Sequence, residues 1–211
     1  MRKSVLGFHI GEDSLSAVLV KSSFKTNRIV GYRHFQFGSS SGDLQSSLSE
    51  SLSAFCKAVP LKDIVCTVSV PAGNVFFRNL KVPFKNQNKI RQMLPYELEP
   101  ELPVPVENLL IEFLSSSSAT ENLLIAAAVE KKTCETVLDI LSQFHIKPVR
   151  IAPGGLDAAL CLKRFTPLPE QALILHTDRF SATLYGVMAK EIAFVRSFRI
   201  PSDGASRIKR L

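Results

Sequence analysis

The sequence feature that most constrains the fold is a three-stranded antiparallel pattern that occurs near both ends of the 211-residue chain. Apolar and alternating runs separated by short polar turns predict strands at residues 4–10, 15–21 and 28–37. The same order of three strands and two turns returns in residues 172–201. The two meanders begin at residues 4 and 172. Solenoid repeats have much shorter periods of about 20–50 residues, so the recurrence predicts two related domains instead.

Aligning the two meanders places their first histidines at equivalent positions. His9-Ile10-Gly11 matches His176-Thr177-Asp178, and Ser16 then falls close to Ser181 if one gap is allowed. In both copies the histidine stands at the end of the first predicted strand, just before a turn. The match predicts that the two hairpins are structurally equivalent.

Between the meanders the sequence predicts a mixture of strands and helices. The run "DIVCTVSV", residues 63–70, is short and almost wholly apolar, which is typical of a central parallel strand. A helix that begins near Asn86 contains Pro95, which is expected to kink or end it and to leave an extended, proline-rich strap. The other predicted elements are a helix at 44–59, a strand at 75–83, strands at 108–114 and 122–129, and helices at 130–145 and 155–165. Residues 166–170 are interpreted as a joint between domains.

Charge and cysteine content exclude several functional classes. The chain has 26 Lys and Arg against 19 Asp and Glu, but the basic stretch at residues 78–91 is not accompanied by the interleaved aromatics of a nucleic-acid platform, so nucleic acid is not expected as a partner. The four cysteines include no CxxC pair and favour reduced, buried thiols over a disulfide framework or a zinc site. No signal peptide and no run of ~18 apolar residues is present, which predicts a soluble chain.

Part of the basic excess is concentrated in one stretch. Five cations fall within fourteen residues: Arg78, Lys81, Lys85, Lys89 and Arg91. We interpret this stretch as a candidate docking face for an acidic segment of a partner, and the alternative is a merely solvated helix. Further along, Glu97, Glu99 and Glu101 lie among prolines, which favours a solvated strap over a pair of catalytic carboxylates.

Two meanders that each open on a short hairpin and are separated by βα units resemble the actin-like ATPase superfamily, in which the two hairpins hold the phosphates of ATP. Two stretches point to a particular family within this superfamily: residues 76–113, "FFRNLKVPFKNQNKIRQMLPYELEPELPVPVENLLIEF", and residues 123–160. They look like PilM and the cytoplasmic part of GspL, inner-membrane platform proteins of type IV pilus and type II secretion machines.

The resemblance implies an α/β fold with three parts. A first actin-like, ribonuclease H-like domain is expected at residues 1–73 and 147–165. A small α+β subdomain is expected to be inserted at 74–146 and to form a protein-contact surface. Residues 166–211 are expected to begin a second actin-like domain that continues in a longer protein.

The chain departs from the superfamily at its nucleotide-binding motif. Nucleotide-binding members carry Asp-x-Gly at the turn of both hairpins, whereas here His9 and His176 replace the aspartates and Asp178 replaces the second glycine. Imidazole is a poor ligand for Mg²⁺, and Asp178 adds negative charge where phosphate would bind. His9, Gly11, Ser14, His176 and Asp178 are therefore interpreted as a degenerate nucleotide site without catalytic residues, metal ligands or a cofactor. A metal site shared by the two histidines is the less favoured alternative, since no third ligand is apparent.

By this resemblance the chain is expected to be a non-catalytic cytoplasmic scaffold at the inner membrane face. The implied partners are the secretion or pilus assembly ATPase and a bitopic inner-membrane platform protein, with homodimer formation as a further option. One alternative is a PilM-like switch that binds ATP with Mg²⁺ without efficient hydrolysis. Another is an actin-like small-molecule kinase, which the missing carboxylates disfavour.

Overall fold

The computed structural model describes residues 3–24, 26–37, 44–59, 61, 64–117 and 122–200. Its strands are β1 (Lys3–Ile10), β2 (Ser14–Ser22), β3 (Asn27–Gln36), β4 (Ile64–Val70), β5 (Val75–Val82), β6 (Leu109–Ser117), β7 (Asn122–Glu130), β8 (Pro148–Pro153), β9 (Gln171–Thr177), β10 (Ser181–Met188) and β11 (Glu191–Arg199). Its α-helices are α1 (Leu44–Ala58), α2 (Gln87–Leu98), α3 (Lys131–Gln143) and α4 (Leu156–Phe165). Both three-stranded meanders are thus confirmed, as β1–β3 and β9–β11.

The described residues divide into two compact units. The first contains those of Met1–Pro71 and Cys134–Gly154, and the second those of Ala72–Thr133 and Gly155–Leu211. The second unit therefore includes both the strands of the inserted segment and the C-terminal meander. The three-part division expected from the resemblance stays a prediction.

The first unit is built on a five-stranded sheet in the order β3-β2-β1-β4-β8. β1 pairs with β2 in antiparallel register and with β4 in parallel register, and β4 pairs with β8 in parallel register. The prediction of a central parallel strand at 63–70 is confirmed by β4, which lies between two neighbours.

One face of this sheet carries the hydrophobic core of the first unit. Side chains alternate between the faces of a strand, so Leu6, Phe8 and Ile10 of β1 all lie on the core face. Helix α1 contributes Phe55, whose ring meets that of Phe8 edge to face at 5.2 Å between centroids. The other buried members are Leu15, Ala17, Leu48, Leu52, Cys66, Val68, Val70, Val137, Ile140, Leu141 and Ile146. Full burial of a large apolar side chain stabilises the fold by about 1.5–3 kcal/mol.

The second unit contains two three-stranded sheets, in the orders β5-β7-β6 and β11-β10-β9. Helix α2 packs Ile90, Leu94 and Leu98 into a cluster with β7. A separate cluster surrounds Tyr185 and Val195, which are both fully buried, and includes residues of α4 and β5. The hairpin predicted at 108–114 and 122–129 is confirmed as β6 and β7.

The expectation that Pro95 would kink or end its helix is corrected by the structure. Helix α2 continues through Pro95 to Leu98, because its buried face extends that far and the Glu99 N–H still donates to the Pro95 carbonyl oxygen. Asn86 caps the start of the helix, accepting from the N–H groups of Asn88 and Lys89. Residues 148–153, for which the sequence predicted no element, form strand β8 at the edge of the sheet, where proline is tolerated.

Candidate functional site

The first hairpin is closed by backbone hydrogen bonds at the turn between β1 and β2. The Gly11 N–H donates to the Ser14 carbonyl oxygen at 2.8 Å. The Phe37 N–H, just after β3, donates to the Asp13 carbonyl oxygen at 2.7 Å and ties the third strand to the same turn. His9 stands one residue before the end of β1 and pairs with Ser16 of β2.

The hairpin between β9 and β10 has the same construction. The Asp178 N–H donates to the Ser181 carbonyl oxygen at 2.8 Å, and the Ile200 N–H donates to the Phe180 carbonyl oxygen at 2.7 Å. His176 stands one residue before the end of β9 and pairs with Thr183 of β10. The structure therefore gives Asp178 the position of Gly11, and Ser181 the position of Ser14.

This equivalence corrects the alignment of the two meanders. Ser16 corresponds to Thr183 rather than to Ser181, and no gap is needed. A register shift after Leu19 in the first meander recurs at the same interval, after Gly186, in the second. The sequence alignment missed this because the polar residue Thr183 replaces Ser16, which made a shifted match through Ser181 look better.

His9 is held within the first unit by a serine from a distant part of the sequence. Its Nδ1 lies 2.8 Å from Ser69 Oγ on the neighbouring strand β4. The Ser69 hydroxyl in turn donates to the Phe8 carbonyl oxygen at 3.4 Å, so its oxygen is left to accept from an Nδ1–H tautomer of His9. His9 is thus a hydrogen-bonded residue at a strand end.

His176 lies against the start of helix α4 within the second unit. Gly155, the residue before that helix, has φ of +82°, a left-handed conformation that favours glycine. A Cβ atom at this position would lie 2.6 Å from His176 Cγ. The second glycine of the pair Gly154-Gly155 thus opens the helix, as expected, and also makes room for the histidine ring.

Both hairpins depart from the Asp-x-Gly pattern of a Mg²⁺-nucleotide site. Mg²⁺ prefers oxygen ligands in octahedral geometry, whereas the first hairpin presents an imidazole whose Nδ1 is already bonded to Ser69. At the second hairpin the residue in the glycine position is Asp178, whose carboxylate would repel phosphate. Across the part of the chain that the structure describes, no three His, Cys, Asp or Glu side chains are grouped as metal ligands would be.

The predicted docking cations fall into two kinds, all within the second unit. Arg78 Nε lies 3.1 Å from a carboxylate oxygen of Glu101, and Arg91 Nη1 lies 2.8 Å from one of Glu112. The Arg91 guanidinium also lies over the Phe113 ring, 5.3 Å from its centroid. The two arginines therefore have internal partners that sequence reasoning missed, because the carboxylates lie more than twenty residues away.

The three lysines of the stretch have exposed side chains. Lys81 is on β5, Lys85 is in the loop before α2, and Lys89 is in the first turn of α2. Glu97 and Glu99 lie at the opposite end of this helix and are also exposed. Cations are unfavourable at a helix N-terminus and anions at its C-terminus, each by about 0.3–1 kcal/mol. The charges of α2 therefore oppose its dipole, an arrangement that does not serve stability.

Buried thiols complete the set of candidate reactive groups. Burial raises the pKa of the Cys66 thiol to about 11, and it also raises the pKa of Cys56 and of Cys134. A thiol that stays protonated is a poor nucleophile. All four cysteines are free, but the expectation that all are buried is wrong for Cys161, which is exposed on α4.

The meanders, their matching hairpins and the parallel strands between them define an actin-like fold. The structure of a PilM-PilN type IV pilus biogenesis complex is similar, with a TM-score of 0.79 and 16% identity over 98% of this chain and 69% of that one. So is the cytoplasmic domain of EpsL, an inner membrane component of the type II secretion system of Vibrio cholerae, with a TM-score of 0.62 and 16% identity over 94% and 71% of the two chains. A Bacteroides thetaiotaomicron protein with an actin-like ATPase fold and unknown function has a TM-score of 0.57 at 9% identity, over 99% of this chain and 74% of that one. These identities establish the fold alone.

The family follows from the sequence itself. Residues 55–166, more than half of the chain, match the model of the type II secretion system (T2SS) protein L family. The chain therefore belongs to that family, which confirms the resemblance to GspL-type assembly platform proteins. No curated protein matches the chain by sequence. None of the helices within the described ranges is long and apolar enough to cross a membrane.

Proposed function

We propose that this chain is a non-catalytic cytoplasmic scaffold of a type II secretion platform, which docks the secretion ATPase and a bitopic inner-membrane partner. The observation that carries the proposal is the first hairpin. Its turn is intact, but His9 is bonded to Ser69 where a nucleotide site would need a free carboxylate. A hairpin of this kind can maintain the fold through its backbone hydrogen bonds without binding a metal ion. The family match supports a role in the secretion machine.

The docking role is assigned to the lysines around the start of α2. Lys85 and Lys89 are exposed and lie where they oppose the helix dipole, so their presence is better explained by a partner than by stability. Arg78 and Arg91 contribute less, because Glu101 and Glu112 already neutralise them. The partner surface is therefore expected to be acidic.

The test is a pull-down of the cognate secretion ATPase with the purified chain, in solution and without lipid. The double variant Lys85→Glu/Lys89→Glu is expected to weaken binding about tenfold at low salt, since each reversed charge also repels an acidic partner. The matched control is Lys132→Glu/Lys147→Glu, which reverses two exposed lysines elsewhere. Failure of the unmodified chain to retain the ATPase, or equal losses in both double variants, would contradict the proposal.

Calorimetry with ATP and Mg²⁺ tests the absence of nucleotide chemistry separately. The scaffold is expected to give no binding heat. A dissociation constant below roughly 100 µM, about −5.5 kcal/mol, would instead support an ATP-binding switch of the PilM kind.

A further inference from the structure

The hairpin formed by β2 and β3 is unusually rich in positive charge. From Ser14 to Gly42 the sequence contains no Asp or Glu. The same segment contains Lys21, Lys25, Arg28 and Arg33. Lys21 and Arg28 are paired directly across the two strands, where like charges destabilise a sheet. A hairpin selected for stability alone would carry a carboxylate at one of these two positions.

The same hairpin exposes large apolar side chains. Phe24, at the turn between the strands, is 95% exposed, and Ile29 and Tyr32 of β3 are 68% and 55% exposed. Ile29 and Tyr32 pair with Val20 and Val18, which lie on the sheet face opposite the core. Exposed apolar residues are ordinary when scattered, but a group of them within nine residues marks an interaction surface.

Hydrogen bonds fix the turn that carries Phe24. The Ser23 N–H donates to the Thr26 carbonyl oxygen at 2.9 Å. The Ser23 hydroxyl adds three contacts with Thr26, at 3.1 Å to its carbonyl oxygen, 3.1 Å to its Oγ1 and 3.3 Å from its N–H. The Phe24 ring therefore does not help to close the turn, and it remains exposed to solvent.

We propose that this hairpin binds an anionic phospholipid surface, with Phe24 entering the headgroup region and the flanking cations contacting lipid phosphates. An exposed aromatic ring at a turn, with Lys21 and Arg28 on the adjoining strands, matches a flat, deformable, negatively charged surface. A nucleic acid would need a stacking platform of several aromatics, and a protein partner would need a pocket for the ring to fill. The preference for a membrane over other anionic surfaces also rests on the proposed platform role.

The contribution of each side chain to membrane binding follows from the general energetics of protein–bilayer interfaces. Each Lys or Arg near an anionic bilayer adds about 1 kcal/mol, so neutralising two of them lowers the partition coefficient about 30-fold. Loss of the buried area of Phe24 lowers it about tenfold. The charge contribution is expected to fall with added salt, because the Debye length shortens from about 10 Å at 0.1 M to 3 Å at 1 M.

The experiment is co-sedimentation of the chain with vesicles of phosphatidylcholine, with and without phosphatidylglycerol. Binding is expected only with phosphatidylglycerol, and it is expected to drop about tenfold in Phe24→Ser and about 30-fold in Lys21→Gln/Arg28→Gln. The matched controls are Tyr96→Ser, since Tyr96 is 77% exposed on α2, and Lys132→Gln/Lys147→Gln. Both controls are expected to bind as the unmodified chain does. All the substituted side chains are exposed, so no variant should lose thermal stability, and Lys21→Gln/Arg28→Gln should gain slightly because it removes a pair of like charges across the two strands.

Three results would overturn the inference. They are no sedimentation with phosphatidylglycerol, equal losses in the hairpin variants and their controls, or stronger binding of a duplex DNA or a polyglutamate competitor through the same hairpin residues. The ATPase pull-down contains no lipid and does not use this hairpin, so either proposal can fail while the other stands.

Discussion

The contact between Gly155 and His176 makes a sharp prediction for the substitution Gly155→Ala. Two costs add within the second unit. At φ of +82°, a residue with a Cβ is strained by about 1–2 kcal/mol. The new atom would also lie 2.6 Å from His176 Cγ and 2.7 Å from His176 Cβ, closer than the 3.0 Å that real Cβ atoms keep. Relieving such an overlap costs about 1–3 kcal/mol, so the free energy of unfolding should fall by about 2–5 kcal/mol.

Urea unfolding followed by circular dichroism measures this loss, and a double-mutant cycle separates its two parts. In a His176→Gly background the overlap disappears, so Gly155→Ala should then cost only about 1–2 kcal/mol. The matched control is Gly7→Ala, where the new Cβ would lie 3.9 Å from Thr67 Oγ1, an ordinary contact distance, and where the change should stay within about 0.5 kcal/mol. The reasoning is refuted if Gly155→Ala is as mild as the control, or if its cost is the same with and without the His176 side chain.

Three further predictions concern packing, thiol chemistry and helix charge. Gly186→Ala should cost more than about 2 kcal/mol in the same urea assay, because its Cβ would fall within the Phe194 ring, and Phe194→Ala should relieve most of this cost. Burial raises the pKa of the Cys66 thiol from 9.0 to about 11, so its contribution to stability is complete below pH 9, and about 2–3 kcal/mol of stability should be lost between pH 9 and 11. Urea unfolding of Cys66→Ala over this pH range should show a shallower decline in stability than the unmodified chain, and an equal decline would contradict the assignment. Lys89→Glu should raise the thermal midpoint slightly, by the equivalent of about 0.3–1 kcal/mol, since it places a carboxylate in the first turn of α2, and a lowered midpoint would contradict the dipole argument.

Local patterns were sufficient to predict most of the secondary structure. Strands β1 to β3 and β9 to β11 follow from alternation and turn residues, and β4 from its short, almost wholly apolar run. The failures came from proline. Helix α2 runs through Pro95 because tertiary burial of Leu98 outweighs one missing hydrogen bond, and β8 accepts Pro148 and Pro153 because it lies at an edge.

The candidate site was less accessible to sequence reasoning. The positions of His9 and His176 could be recognised from the repeat, but their partners could not. Ser69 reaches His9 only because β4 crosses over to lie parallel to β1, a pairing set by the topology of the sheet. The ion pairs of Arg78 and Arg91 likewise depend on how distant segments pack, and no local spacing encodes them.

The way in which both hairpin turns are closed has an evolutionary consequence. Because main-chain groups at Gly11 and Ser14, and at Asp178 and Ser181, make the closing bonds, the turns survive almost any exchange of the side chains around them. Mutations that exchange the side chains of such a turn would then leave stability nearly untouched. A fold of this type can therefore change the chemistry of its hairpins while its architecture persists.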